Sequence, residues 1–214
     1  MHSDTSRKLL ALAITAYAEA YEGSPAEEYM ERRGISAGHM FRLGFVTPEN
    51  AAPGDEQYAG MLCIPYLTPT GPIAVKFRSL RPDASTKYLI PTGQSTHLYN
   101  VTDLHKKSSQ IVLAEGEVDA MTLSMLGIPA VGVPGVNNWK PFYRRVFDGY
   151  EDVVIATDND ARDDGANPGQ ELARHLRQEL YGSRIAVLPR GYDVNALYVE
   201  QGREAVVALV SRGE

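Results

Sequence analysis

The sequence has almost no cysteine. Cys63 stands alone in 214 residues, which excludes an internal disulfide and a cysteine-based zinc site. Flanked by Met61, Leu62 and Ile64, it reads as a small buried hydrophobe on a strand. Long apolar runs are missing as well, and none approaches the roughly 18 residues that suggest a membrane span. The opening Met1-His2-Ser3-Asp4 runs directly into an amphipathic pattern without the build of a secretory signal. A cytoplasmic protein with no membrane partner is expected. Repeats and low-complexity tracts are absent too. Finally, there is no excess of positive charge: 21 Lys and Arg face 27 Asp and Glu, for a net charge of −6. A protein that coats nucleic acid by bulk electrostatics would not look like this. What remains is ordinary globular composition, 43% hydrophobic and 22% charged, enough for one larger domain or a catalytic domain with a small annex.

The charge is unevenly placed. Between Gly60 and Gln110, six basic residues (Lys76, Arg78, Arg81, Lys87, Lys106 and Lys107) face only Asp83 and Asp103, whereas acidic residues predominate from Ile111 onward. A polyanion held on one surface and divalent cations on another would suit this division, and on charge alone ordinary solvated faces would suit it equally.

The hydrophobic periods change along the chain. Leu10, Ile14, Tyr17 and Tyr21 share one helical face. Ser24-Pro25-Ala26-Glu27 combines a capping box with proline at the first helical position, so a helix should run to about Arg33 and stop at Gly34. Ser36 can cap another short helix ending at Gly44, and Thr47 to Tyr58 reads as a loop. Short strands are expected at 61–67, 72–77 and 87–90, the first two joined by a turn at Thr68-Pro69-Thr70-Gly71. From Ser109 strand and helix alternate. Strands are expected at 111–114, 130–133, 153–156 and 185–188. Helices are expected at 118–126, at 139–147, along the Leu172–Leu176–Leu180 face, and at 194–210 with a break near Gly202. Apolar runs alternating with amphipathic helices predict a parallel sheet covered on both faces.

In such a sheet, functional groups gather at the carboxyl ends of the strands. Glu115 follows the first of these strands, Asp158 and Asp160 the third, and Asp193 the fourth. Asp119, four residues after Glu115, can face the same site or hold a partner in place. Asp158 and Asp160 can project together from an extended segment while Asn159 points aside. Clustered carboxylates repel one another and raise each other's pKa, a conflict that a hard divalent cation such as Mg²⁺ or Mn²⁺ resolves. A calcium loop of the EF-hand type does not fit, because Arg162 occupies a ligand position.

Glu115-Gly116-Glu117-Val118-Asp119-Ala120, Asp158-Asn159-Asp160 and Gly191-Tyr192-Asp193-Val194-Asn195 resemble the three acidic motifs of the Toprim domain, shared by primases, topoisomerases and certain nucleases and repair proteins. Upstream, Gly60-Met61-Leu62-Cys63-Ile64-Pro65, Val75-Lys76-Phe77-Arg78, Thr86-Lys87-Tyr88-Leu89 and Leu98-Tyr99-Asn100 are similar to the N-terminal subdomain of bacterial and phage DNA primase catalytic cores. The resemblance runs from about Ala26 to Val199. It implies an α/β fold in which residues 1–108 form a small α+β N-terminal subdomain and residues 109–214 a Toprim parallel-sheet domain with C-terminal helices. It further implies primer synthesis from nucleoside triphosphates on a single-stranded DNA template. Glu115, Asp158 and Asp160 would be catalytic and, with Asp193, would ligate Mg²⁺ or Mn²⁺, two ions in all and no zinc. Asp119 would support them, and Asn195 would stand where the family often has a second acid. Arg78 and Lys87 would contact nucleotide or template. Lys76 ranks below them, because its side chain can point to the opposite face from its neighbour.

Departures from the pattern shape the expectation. The family usually has a glycine two or three residues after Asp-x-Asp, but here Ala161-Arg162-Asp163-Asp164 precede Gly165, and Asp163 or Asp164 could join or flank the site. The zinc ribbon and the helicase-binding domain of replicative primases are not expected in this chain. A stripped phage or mobile-element core, or one working with a replicative helicase or a separate zinc-ribbon protein, would fit. Two other readings stay open: a Toprim nuclease with Glu115 as general acid/base, and a catalytically inert nucleic-acid-binding accessory protein.

Overall fold

A computed structural model describes residues 4–160 and 165–211. The chain divides into two compact units, Met1–Ser95 and Thr96–Glu214.

The first unit packs helices on an antiparallel sheet. Helix α1 (Asp4–Glu19) buries Ile14 and Tyr17, and helix α2 (Pro25–Arg32) buries Ala26 and Met30. The expected cap forms at Ser24, whose hydroxyl accepts the Glu27 N–H, while Glu27 reaches back to the N–H of Gly23. The short helix expected to end at Gly44 is instead a 3-10 turn, Gly38–Phe41, and Gly44–Phe45 forms strand β1. That turn brings Gly38 against Tyr21, where an added Cβ would lie 2.7 Å from the phenol, and so packing favours the tight turn. Strands β1, β2 (Met61–Thr68), β3 (Gly71–Ser79) and β4 (Tyr88–Leu89) follow one another in the sheet, every pair antiparallel. In the core, Phe77 stacks on Tyr58 at 3.9 Å and meets the edge of Tyr17 at 6.2 Å. Truncating so buried a ring costs about 3–5 kcal/mol. Cys63 is fully buried in the same cluster, as its apolar neighbours require.

The second unit is built on a parallel sheet in the order β6-β5-β7-β8, from β5 (Gln110–Ala114), β6 (Ala130–Gly132), β7 (Asp152–Ala156) and β8 (Arg184–Ile185). Ile111, Leu113, Val153 and Ile155 share one face with Leu172, Ala173 and Leu176 of helix α4 (Pro168–Glu179). The alternate residues Val112, Ala114, Val154 and Ala156 are left for the other face, where helices α3 (Glu117–Met125) and α5 (Val194–Val210) pack. Two expected elements differ. Residues 139–147 hold a 3-10 turn, Pro141–Val146, which opens on Pro141 at its first position. The last strand is cut to two residues. After Ile185 one further bond, from the Ala186 N–H to the Ile155 carbonyl, ends the pairing.

The expected domain boundary at 108/109 lies inside the second unit. Tyr99 and Gly132 exchange backbone hydrogen bonds of 2.8 and 3.1 Å, extending the sheet edge beyond β6. Asn100 donates to the Ala130 carbonyl, and buried Asp103 accepts the Ala130 N–H. The segment before β5 is therefore tied to the parallel sheet. Among the described residues, no helix is long and apolar enough to cross a membrane.

Candidate active site

Strands β5 and β7 are neighbours in register, with Ala114 opposite Ala156. The residues that leave their carboxyl ends therefore emerge together. Glu115 and Asp158 are both half-buried, and the Asp158 N–H donates to Glu115 Oε2 at 3.3 Å. Asp160, two residues on, is exposed.

Two helix N-termini complete the edge. Gly116 precedes α3, and Asp119 in its first turn is buried. An added Cβ at Gly116 would stand 2.6 Å from Asp119 Oδ2, so glycine makes room for that carboxylate. Asp193 caps α5 by accepting the Ala196 N–H at 2.5 Å. Asp119 Oδ1 accepts the Asn195 N–H at 2.9 Å, so α3 grips the start of α5 through the supporting carboxylate. The Asn195 amide nitrogen donates to Thr122 Oγ1, which in turn donates to the Val118 carbonyl. Asn195, expected where a second acid would be, is buried and fastened to α3.

The electrostatic consequence concentrates on one group. Burial first, then the charges of Asp119, Glu115, Asp193 and Asp160, push the Asp158 carboxyl up to about 8. Burial also raises Glu115; the Asp158 N–H works against this, and the charge of Asp160 adds to it. All five expected carboxylates thus act within one neighbourhood. Their chemistry, oxygen donors of like charge, fits a hard divalent cation. Among the described residues, no three such side chains already form a closed ligand set, so the fit lies in charge and donor type rather than in a finished cage. Asp163 and Asp164 lie outside the described residues.

Sequence reading missed the glycine that meets this site. It is Gly169, in the first turn of α4, rather than Gly165. An added Cβ at Gly169 would fall 2.1 Å from the Asp158 carbonyl oxygen and 2.9 Å from Glu115 Oε2. The Gly169 carbonyl accepts the Thr157 hydroxyl, and Asn167 caps the helix by accepting the Gln170 N–H. Asn167-Pro168 was the available signal, an N-cap followed by proline at the first helical position.

In the first unit, the Arg78 guanidinium lies between the rings of Tyr29 and Tyr88, at 4.9 and 4.7 Å, and donates to the Tyr88 hydroxyl. Lys76, two residues earlier on β3, lies over the same Tyr88 ring at 4.8 Å, so the two basic side chains share a face. Lys87 is exposed beside β4, where its carbonyl accepts the Ser79 N–H.

Residues 110–204 match the Toprim domain family. The fold is that of the Aquifex aeolicus primase, zinc-binding and RNA polymerase domains, with a TM-score of 0.75 at 21% identity; the match covers 98% of this chain and 61% of that one. A DnaG primase catalytic domain bound to single-stranded DNA gives 0.72 at 19% identity, covering 97% of this chain and 82% of that one. The protein thus carries a Toprim domain within the fold of a DnaG-type primase catalytic core. The Gene 57 protein of Mycobacterium phage D29 is 38% identical over 158 residues, which are 72% of this chain and 99% of the phage protein. The chain belongs to the family of that phage protein.

Proposed function

We propose that the chain is a primase core: a nucleotidyltransferase that makes short RNA primers from nucleoside triphosphates on single-stranded DNA. The observation that carries this reading is the half-buried Asp158, whose carboxyl is raised to about 8 by burial and then by the charges of Asp119, Glu115, Asp193 and Asp160. A site so strained by like charge favours a divalent cation over the proton it otherwise retains. The primase-core fold around that site supports polymerisation on a template.

In this reading Glu115, Asp158, Asp160 and Asp193 hold Mg²⁺ or Mn²⁺, two ions, and Asp119 supports them by gripping the start of α5 at Asn195. Bound there, the ions would neutralise triphosphate charge and acidify the attacking 3′-hydroxyl. The protein's own part is to hold and to orient. Gly169 lets α4 close over the Asp158 backbone. Arg78, Lys76 and Lys87 bind phosphates of nucleotide or template, with Tyr29 and Tyr88 packed against the Arg78 guanidinium. A replicative helicase or a separate zinc-ribbon protein would supply loading and template choice.

The test is incubation with single-stranded DNA, Mg²⁺ or Mn²⁺ and labelled triphosphates. New short RNA, abolished by Asp158→Ala and by Asp160→Ala, is the expected result. Shortened template without RNA would identify a nuclease, and normal priming by Asp158→Ala would sink the metal-site assignment.

A further inference from the structure

Asn159 stands between Asp158 and Asp160, yet it does more than separate them. Its backbone N–H donates to the Tyr192 carbonyl at 3.0 Å, and its carbonyl accepts the Gly191 N–H at 2.7 Å. Its side-chain nitrogen donates to the Leu188 carbonyl at 2.6 Å, and its side-chain oxygen accepts from the Asn167 amide at 2.8 Å. Three of the four bonds reach the segment that leads into Asp193. The fourth reaches the residue that caps α4, two residues before the glycine lying on Asp158. Gly191 meets its part by adopting a positive φ of 85°.

The residue type follows from the partners. Leu188 offers a carbonyl and requires a donor, whereas Asn167 presents an N–H and requires an acceptor. Only a short side chain with both groups serves the two at once; aspartate lacks the donor and serine the second atom.

We propose that Asn159 is a positioning residue that fixes Asp158 and Asp160 relative to Asp193 and thereby sets the affinity of the site for a divalent cation; this rests on the metal-site reading above. The backbone bonds align the two loops, and the side chain holds that alignment against α4. Partners one step removed from ligands commonly change metal affinity by about 10–100-fold.

The test uses the full chain, stripped of metal, with Mn²⁺ as the probe. Affinity is read by calorimetry, the Mn²⁺ environment by electron paramagnetic resonance, and the 188–196 segment by hydrogen exchange. Asn159→Ala should bind Mn²⁺ at least about tenfold more weakly, with an altered Mn²⁺ spectrum and faster exchange in 188–196. Asn100→Ala, which removes a buried bond to Ala130 in the same unit, should lower the melting temperature and leave Mn²⁺ affinity unchanged. If Asn159→Ala does not fold, Asn159→Ser and Asn167→Ala carry the test, each removing part of the same contact. Wild-type Mn²⁺ affinity in these folded variants overturns the role of Asn159 alone. A wild-type chain that takes up no Mn²⁺ overturns the metal-site reading itself.

Discussion

The N–H of Asp158 donates to the carboxylate of Glu115 across the ends of two neighbouring parallel strands. Gly169 closes this pair from above, with no space for a methyl group between it and the Asp158 carbonyl. Gly169→Ala must therefore move α4 or the Asp158 backbone. Overpacking of this kind costs about 1–3 kcal/mol, and the displaced carboxylates should lose at least tenfold in priming rate, on the order of 1.4 kcal/mol. Gly127→Ala is the comparison. Its φ of 84° makes alanine strained, but no atom lies within 4 Å of the added Cβ. It should lower the melting temperature and leave Mn²⁺ affinity intact. Thermal denaturation and calorimetry on the two variants separate crowding at the site from simple backbone strain.

The raised carboxyl of Asp158 sets a pH dependence. The cation binds the ionised form, and the folded protein holds that proton up to about pH 8. Mn²⁺ affinity should therefore rise by up to about tenfold per pH unit between pH 6 and 8 and level off above, with proton release on binding. Stability of the metal-free protein runs the opposite way. The unfolded chain gives up this proton near the ordinary carboxylate range while the folded chain keeps it, so this group makes stability fall as pH rises from about 4 to 8. Added Mn²⁺ should reverse the loss at the alkaline end. Melting curves with metal and with chelator check both signs, and Asp158→Asn should flatten the metal-free slope.

Asp119 divides its work between charge and grip, and two substitutions separate them. Asp119→Asn keeps an oxygen for the Asn195 N–H but removes the neighbouring charge that acts most strongly on Asp158. The pH at which Mn²⁺ uptake turns on should shift downward. Asp119→Ala removes the acceptor as well, and the loss of this charge-assisted hydrogen bond to the start of α5 costs about 1.5–3 kcal/mol. A melting temperature that falls in the alanine variant only, with the pH shift in both, is the expected pattern.

The order of motifs along the chain was enough to place Glu115, Asp119, Asp158, Asp160 and Asp193 on one sheet edge, because a parallel sheet sends every strand's carboxyl end the same way. Sequence periodicity also located α1, α2, β2, β3, β4 and the strands of the parallel sheet to within a few residues, but not β1, which was expected to end a helix. What it did not carry were contacts made by residues without a period. Tyr99, in a stretch for which no strand is expected, pairs with Gly132 at the edge of the parallel sheet, within the unit Thr96–Glu214. Gly169 matters because of atoms on β5 and β7, far off in sequence, and Asn159 because its partners lie in two other loops. Lys76 and Arg78 were visible as basic residues, but the shared Tyr88 ring that places them on one face was not.

That ring also decides what Arg78 can do. The guanidinium carbon lies 4.9 Å from the centre of the Tyr29 ring and 4.7 Å from that of Tyr88, and each cation–π contact contributes about 0.5–2 kcal/mol according to its exposure. If Arg78 reads a phosphate of the template, Arg78→Ala removes one charge contact, and the salt dependence of single-stranded DNA binding should weaken by about 0.7 in the log–log slope. Arg78→Lys keeps the charge but loses the guanidinium fork, so it should retain the slope and lose about tenfold in affinity. Fluorescence anisotropy with labelled oligonucleotide across a salt series measures both quantities. An unchanged slope in Arg78→Ala, together with a lowered melting temperature, would reduce Arg78 to a structural partner of the two tyrosines. Template contact would then fall to Lys76 and Lys87, and the same salt series on their alanine variants would locate it.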